Sequence, residues 1–280
     1  MSLVLEPRHR TGSGDPLVLL HGFTNTWRAW LPVIPELASR FDVLAPTLGG
    51  HCGADPWQEG VEPTVASLAD AAEAELDSAG IDTAHVAGNS LGGWIALELA
   101  KRGRARSVVA IAPAGGWKES DEREERRLTG FFNRTHKLSS LAYPRARGLV
   151  TRPLLRKLML RDVMEHADRM RPGDALHMIQ GVVECPIFFD FLQAVLRDGP
   201  AVDLERISCP VRIAWAEKDR IFPVERYGDA YSTVPGVEVV RLPGCGHVPM
   251  WDDPELVART IGDFAARESA TLVASAPGSQ

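Results

Sequence analysis

Short apolar runs recur along the chain at intervals too wide for hairpins, with helix-period stretches between them. The runs Leu17-Val18-Leu19-Leu20, Phe41-Asp42-Val43-Leu44, Ala84-His85-Val86-Ala87, Ser107-Val108-Val109-Ala110-Ile111, Val211-Arg212-Ile213-Ala214-Trp215 and Val237-Glu238-Val239-Val240-Arg241-Leu242 read as strands. Near-continuous apolar runs of this length suit strands buried on both faces. Residues 64–78 repeat alanine and leucine at helical spacing, with acidic residues on the other face. Residues 93–100 form a second helical run, ending at Lys101-Arg102-Gly103. Residues 253–267 read as an amphipathic helix with Pro254 in its first turn. Such alternation predicts an α/β domain whose mostly parallel sheet is covered by helices on both faces. Residues 3–10 offer only a short first strand, so that edge of the sheet is expected to be trimmed.

The alternation breaks between 117 and 200. That segment has no β-branched run and reads as several helices separated by Pro144, Pro153, Pro172 and Pro186. It carries 15 Lys/Arg against 12 Asp/Glu, leaving 16 against 25 elsewhere from chain totals of 31 and 37. A helical insertion fits better than a loop, because structureless connections of that length are rare in compact domains. The run from Glu119 to Arg127 reads as a solvated helix face. The expected organisation is a core of 1–116 and 201–268, a helical cap at 117–200 and a disordered tail at 269–280.

Charge and cysteine usage narrow the function classes. The chain has 280 residues, enough for one large domain with an insertion, and a net charge of -6, which argues against nucleic acid as a partner. The opening residues lack the basic and apolar regions of a signal peptide, and no run is long enough to span a bilayer. A cytoplasmic monomer or homodimer without a membrane partner is the expectation. Cys52, Cys185, Cys209 and Cys245 show no CxxC pair and no zinc-ligand spacing. They read as free thiols, with no metal or disulfide expected.

The candidate chemistry begins at Gly88-Asn89-Ser90-Leu91-Gly92, between a strand and a helix. A serine on so sharp a turn is held in strained geometry with its hydroxyl exposed, and glycines on either side let neighbouring chain approach. A serine hydroxyl needs a base, and the base needs an orienting acid. His247, in Gly244-Cys245-Gly246-His247-Val248-Pro249 after the last strand, supplies the base. Asp219, in the loop after the strand ending at Trp215, is the acid, with Glu217 and Asp229 as competitors. Another common location for the acid, after Ile111, holds Ala112-Pro113 and no carboxylate. His21-Gly22-Phe23 follows the strand at 17–20, and the amides of Phe23 and Leu91 are candidate donors to an oxyanion. His21 reads as structural, holding that loop by hydrogen bonds.

The order Ser90, Asp219, His247, with His-Gly-Phe early and a helical insertion, resembles the α/β-hydrolase superfamily, and in particular serine carboxylesterase-like members with a helical cap. The resemblance covers nearly the whole chain up to 268. It implies an α/β-hydrolase fold with an eight-stranded, mostly parallel sheet, a nucleophile elbow at Ser90 and a cap over the site. It also implies cofactor-independent chemistry, with an acyl-enzyme on Ser90 hydrolysed by water that His247 activates. One stretch departs from the family. Many members carry Asp-x-Pro-Gly-His-Gly-x-Ser where this chain has Ala45-Pro46-Thr47-Leu48-Gly49-Gly50-His51-Cys52-Gly53-Ala54.

Related members narrow the reaction. Haloalkane dehalogenases and epoxide hydrolases of this fold use aspartate at the elbow, which Ser90 argues against. Prolyl aminopeptidase-like members usually have tryptophan after the serine, and carbon–carbon bond hydrolases and perhydrolases often have methionine, where this chain has Leu91. The expectation is a hydrolase of small hydrophobic esters, with lactones and thioesters open to the same acyl chemistry. A carbon–carbon bond hydrolase or perhydrolase is the alternative, followed by a non-catalytic receptor on the same fold. Trp27, Phe188, Phe189 and Val248 are the expected pocket residues.

Overall fold

Alternate residues along the central strands are apolar on both sides, and this pattern puts helices on both faces of the sheet. The computed structural model describes residues 6–118 and 121–275. Its strands are β1 (Arg8–Gly12), β2 (Pro16–Leu20), β3 (Asp42–Pro46), β4 (Ala84–Asn89), β5 (Ala105–Ile111), β6 (Val211–Ala216) and β7 (Glu238–Leu242). They form one sheet in the order β1-β3-β2-β4-β5-β6-β7, parallel throughout except where β1 pairs antiparallel with β3. The eight strands implied by the family resemblance are therefore seven among the described residues. The edge strand expected at 3–10 lies at Arg8–Gly12.

The helices are α1 (Ile34–Ala38), α2 (Val65–Ser78), α3 (Leu91–Lys101), α4 (Glu122–Leu149), α5 (Pro153–Leu160), α6 (Pro172–Val183), α7 (Phe188–Asp198), α8 (Val224–Tyr227) and α9 (Pro254–Ser275). One apolar cluster joins Val18, Leu20, Val86, Val108 and Ile213 to Leu68 of α2 and Ile95 of α3. The other joins their sequence neighbours Leu17, Leu19, Ala87, Val109 and Ala214 to Leu37 of α1 and Ile261 of α9. Thr64 caps α2 by accepting from the Ser67 amide, while the Ser67 hydroxyl accepts from the Thr64 amide. Pro153 and Pro172 open α5 and α6, where a missing N–H costs nothing.

Three local expectations are corrected. Pro144 does not end a helix, because α4 runs past it to Leu149. Contacts on either side of the proline hold the helix: Tyr143 donates to Glu184 at 2.7 Å, and Ala146 is fully buried. The face at Glu119–Arg127 is not wholly solvated. Glu124 is buried and pairs with Arg127 and Arg226, each at 2.6 Å, while the Tyr227 hydroxyl donates to it, so this turn anchors α4 on α8. Glu119 itself lies outside the described residues. The tail expected from 269 is helical to Ser275, because the Ser269 hydroxyl donates to Asp15 at 2.6 Å and meets His85 Nε2 at 2.8 Å. Residues 276–280 lie outside the described residues.

The strand order positions the site. From β2 the chain steps to β3 on one side, and β4 then takes the other side of β2. Loops leaving the carboxyl ends of β2 and β4 therefore diverge, and a crevice opens between them. The insertion between β5 and β6 consists of α4 to α7, with no strand among the described residues.

Candidate active site

Leu20 pairs with Gly88, Asn89 with Ile111, Ile111 with Ala214, and Ala216 with Leu242. This register aligns the carboxyl ends of five strands and gathers the loops that carry Phe23, Ser90, Asp219 and His247. Ser90 follows β4 directly and has φ 56 and ψ -116, a left-handed conformation that costs a non-glycine residue on the order of 1–3 kcal/mol. Its backbone is over-determined. The amide donates to Ile111 O at 2.9 Å, and the carbonyl accepts from Ala114 at 3.0 Å and Trp94 at 3.2 Å. The glycines are needed for close approach: a Cβ on Gly88 would lie 2.0 Å from Gly92 O, and one on Gly92 would lie 2.1 Å from Leu20 O.

His247 and Asp219 meet through Nδ1 and Oδ2 at 2.7 Å, both buried. The other carboxylate oxygen of Asp219 accepts the amides of Ile221 and Phe222, each at 2.8 Å. Burial by itself would raise the Asp219 carboxyl. Its interactions with His247 and the two amides outweigh that and hold it below its ordinary value. An ionised Asp219 fixes the proton of His247 on Nδ1 and leaves Nε2 as the acceptor. The competitors are occupied elsewhere or exposed: Glu217 accepts the Gly244 amide at 2.7 Å, and Asp229 faces solvent.

The loop after β2 lies across the elbow, and a Cβ on Gly22 would be 3.1 Å from Ser90 Cβ. His21 braces it, with Nδ1 2.8 Å from Gly22 O and Nε2 accepting the Leu48 amide at 2.8 Å. Burial and the adjacent His51 push His21 well below the usual histidine range, so it stays neutral and structural. Ser90, His247, Val248 and Phe23 line one cavity of about 620 Å³ with Phe188 and residues of α4, α5 and α6. Ser90, Phe23 and Leu91 also line a second, smaller space of about 30 Å³. A strained serine, an acid-paired imidazole and one shared cavity make this cluster the candidate active site.

Residues 17–260 match the model of the alpha/beta hydrolase family. The chain belongs to that family. It is 33% identical over 201 residues to Epoxide hydrolase EphH of Mycobacterium tuberculosis, covering 71% of this chain and 94% of that protein. Solved structures of similar fold include a thermophilic esterase from Thermogutta terrifontis, with TM-score 0.72, 21% identity and 93% of each chain covered. Another is the enol-lactonase from Burkholderia xenovorans, with TM-score 0.68, 18% identity and coverage of 92% of this chain and 95% of that one.

In this α/β hydrolase two expected pocket residues fall elsewhere. Trp27 does not line the cavity. Its indole stacks on His9 at 4.8 Å and donates to Glu6 O at 2.9 Å, packing toward the β1 edge. Phe189 points away and is 56% exposed, because one residue along α7 turns the side chain about 100° from Phe188. Two contributors are missing from the sequence reading. Asn89 donates from Nδ2 to His247 O at 2.9 Å and Ile111 O at 3.2 Å, tying the histidine loop to the elbow. Asp252 accepts the amides of Gly246 and His166, each at 2.7 Å, and that of Glu165, pinning the histidine loop to the insertion. Its placement before Asp253-Pro254 signals only a helix start, so its reach to residues 86 and 87 positions away was not legible. Among the described residues no cluster of three or more His, Cys, Asp and Glu could hold a metal ion. Nor is any single helix there long and apolar enough to cross a membrane.

Proposed function

We propose that the protein hydrolyses carboxylic esters of small hydrophobic molecules through an acyl intermediate on Ser90, with α4 to α7 serving as the cap. The observation that carries this reading is the 2.7 Å contact of Asp219 with His247 beside a cavity that Ser90 shares. His247 Nε2 takes the Ser90 proton as Oγ attacks the carbonyl carbon, and the amides of Phe23 and Leu91 receive the oxyanion. The imidazolium then protonates the leaving alkoxide. Water enters, gives its proton to His247 and attacks the acyl carbon, and Ser90 leaves with the proton returned.

The similarity to an epoxide hydrolase raises a second reading, which the elbow chemistry disfavours. A carboxylate that opens an epoxide leaves an ester that water can cleave. Serine opening the same ring would leave an ether, without a carbonyl for water to attack, and the enzyme would stop after one turnover. Carbon–carbon bond cleavage remains compatible with a serine elbow and is the outcome to test against.

The test is turnover of p-nitrophenyl esters by wild type and Ser90→Ala. We expect turnover lost in the variant and an acyl adduct on Ser90 in rapid-quench mass spectra. Equal background release by both proteins would refute the esterase reading.

A further inference from the structure

Two unequal spaces meet at Ser90, and His247 faces only one of them. The larger, about 620 Å³, contains His247 and reaches solvent past Leu138 and Leu158, each 59% exposed. The smaller, about 30 Å³, is walled by Leu91, Trp94, Trp117, Leu192 and Phe222, all less than a tenth exposed, and by Leu196. Apart from Ser90, its lining side chains are all apolar or aromatic.

The tetrahedral carbon on Ser90 carries an oxyanion, an acyl substituent and a leaving oxygen. The oxyanion is directed to the amides of Phe23 and Leu91. The leaving oxygen must receive the proton that His247 holds, so the alcohol half lies on the His247 side, in the large cavity. The acyl substituent is left with the small apolar space. At roughly 10–15 Å³ for a group the size of water, that space takes two or three carbon or oxygen atoms.

Resting on the esterase reading, we propose that this enzyme takes short-acyl esters, acetyl to butyryl, of bulky apolar alcohols. Departure of the alcohol empties the large cavity beside His247. Water then enters by the same route and breaks the Ser90 Oγ–acyl bond as a new C–O bond forms. Leu196 sets the acyl limit, because it closes the small space while itself only partly buried.

Octyl acetate and methyl nonanoate are isomers of equal hydrophobicity that place the bulk on opposite sides of the ester, which makes them the decisive pair. We expect kcat/KM for octyl acetate to exceed that for methyl nonanoate at least about tenfold. Each alcohol methylene accommodated should add about fourfold. Leu196→Ala should raise the hexanoyl-to-acetyl ratio of p-nitrophenyl esters about tenfold, and Leu196→Phe should lower it. Ser90-dependent hydrolysis that favours methyl nonanoate, or ratios unmoved in both variants, would overturn the partition and leave the esterase reading standing. An absence of Ser90-dependent turnover on every ester would overturn both.

Discussion

Replacing Asp219 with Asn keeps the Oδ1 acceptor for the amides of Ile221 and Phe222 but changes the atom that faces His247. An amide NH₂ there opposes Nδ1–H and turns the imidazole toward the wrong tautomer. We expect kcat to fall about 10³- to 10⁴-fold in Asp219→Asn with thermal stability little changed, read by ester turnover beside a melting curve. His51 offers a separate test. Its ring is buried against His21 and Phe23, with centroids 5.1 and 5.8 Å away, and Nε2 has no hydrogen-bond partner. Burial lowers it from 6.5 to about 4, and the carbonyls of Gly49 and Leu48 offset this only in part. The unfolded chain therefore binds a proton below about 6.5 that the folded chain refuses until about 4. The resulting stability is present above that window and is lost as pH falls through it. Between pH 7.5 and 5, urea unfolding of wild type should lose about 2 kcal/mol more than that of His51→Phe. His21 adds a loss of the same sign to both proteins.

Among the elements, α6 is the one that supports the loop carrying Phe23. Gly181 sits where a Cβ would lie 2.3 Å from Thr24 O, and Thr24 itself has φ 66, so helix and loop touch backbone to backbone. In Gly181→Ala one of them must move by about an ångström. We expect kcat/KM to fall about 10- to 100-fold, since misplacement on that scale would disturb the Phe23 amide proposed to receive the oxyanion. Overpacking should also cost about 1–3 kcal/mol of stability, measured by denaturation. An activity unchanged under saturating and limiting substrate would show that α6 does not position the loop. The helices of the insertion were legible from proline spacing and apolar period, yet α4 ignores Pro144. A proline removes one hydrogen bond and bends the axis, and buried side chains beyond it can outweigh that.

At the scale of the whole molecule, α9 closes the amino-end side of the sheet through one short relay. Ser269 donates to Asp15 at 2.6 Å and meets His85 Nε2 at 2.8 Å, and His85 Nδ1 lies 2.8 Å from Ser107 Oγ. Burial lowers His85, which suits a neutral ring giving its Nε2 proton to Ser269. Ser269→Ala leaves Asp15 and His85 without that link, and we expect a loss of about 1–3 kcal/mol in urea unfolding. The kcat should be unaffected, because the relay lies away from the carboxyl ends that carry the site. A fall in kcat at full stability would mean that α9 communicates with the elbow.

Local chemistry in the sequence determined the sharp turn at Ser90, the choice of Asp219 and His247 as candidates and the alternation of strands with helices. Glycine crowding around Ser90, the loop after Trp215 and the period-2 apolar runs each act over a few residues, so they can be read without coordinates. The tertiary structure decided what depends on the direction of a side chain after the chain has folded. It turned Phe188 inward and Phe189 out, took Trp27 to the β1 edge, buried Glu124 within a charged run and brought Asp252 to residues 165 and 166. It also divided the space at Ser90 into two unequal parts, a division set by helices far apart in sequence and therefore invisible to any local pattern.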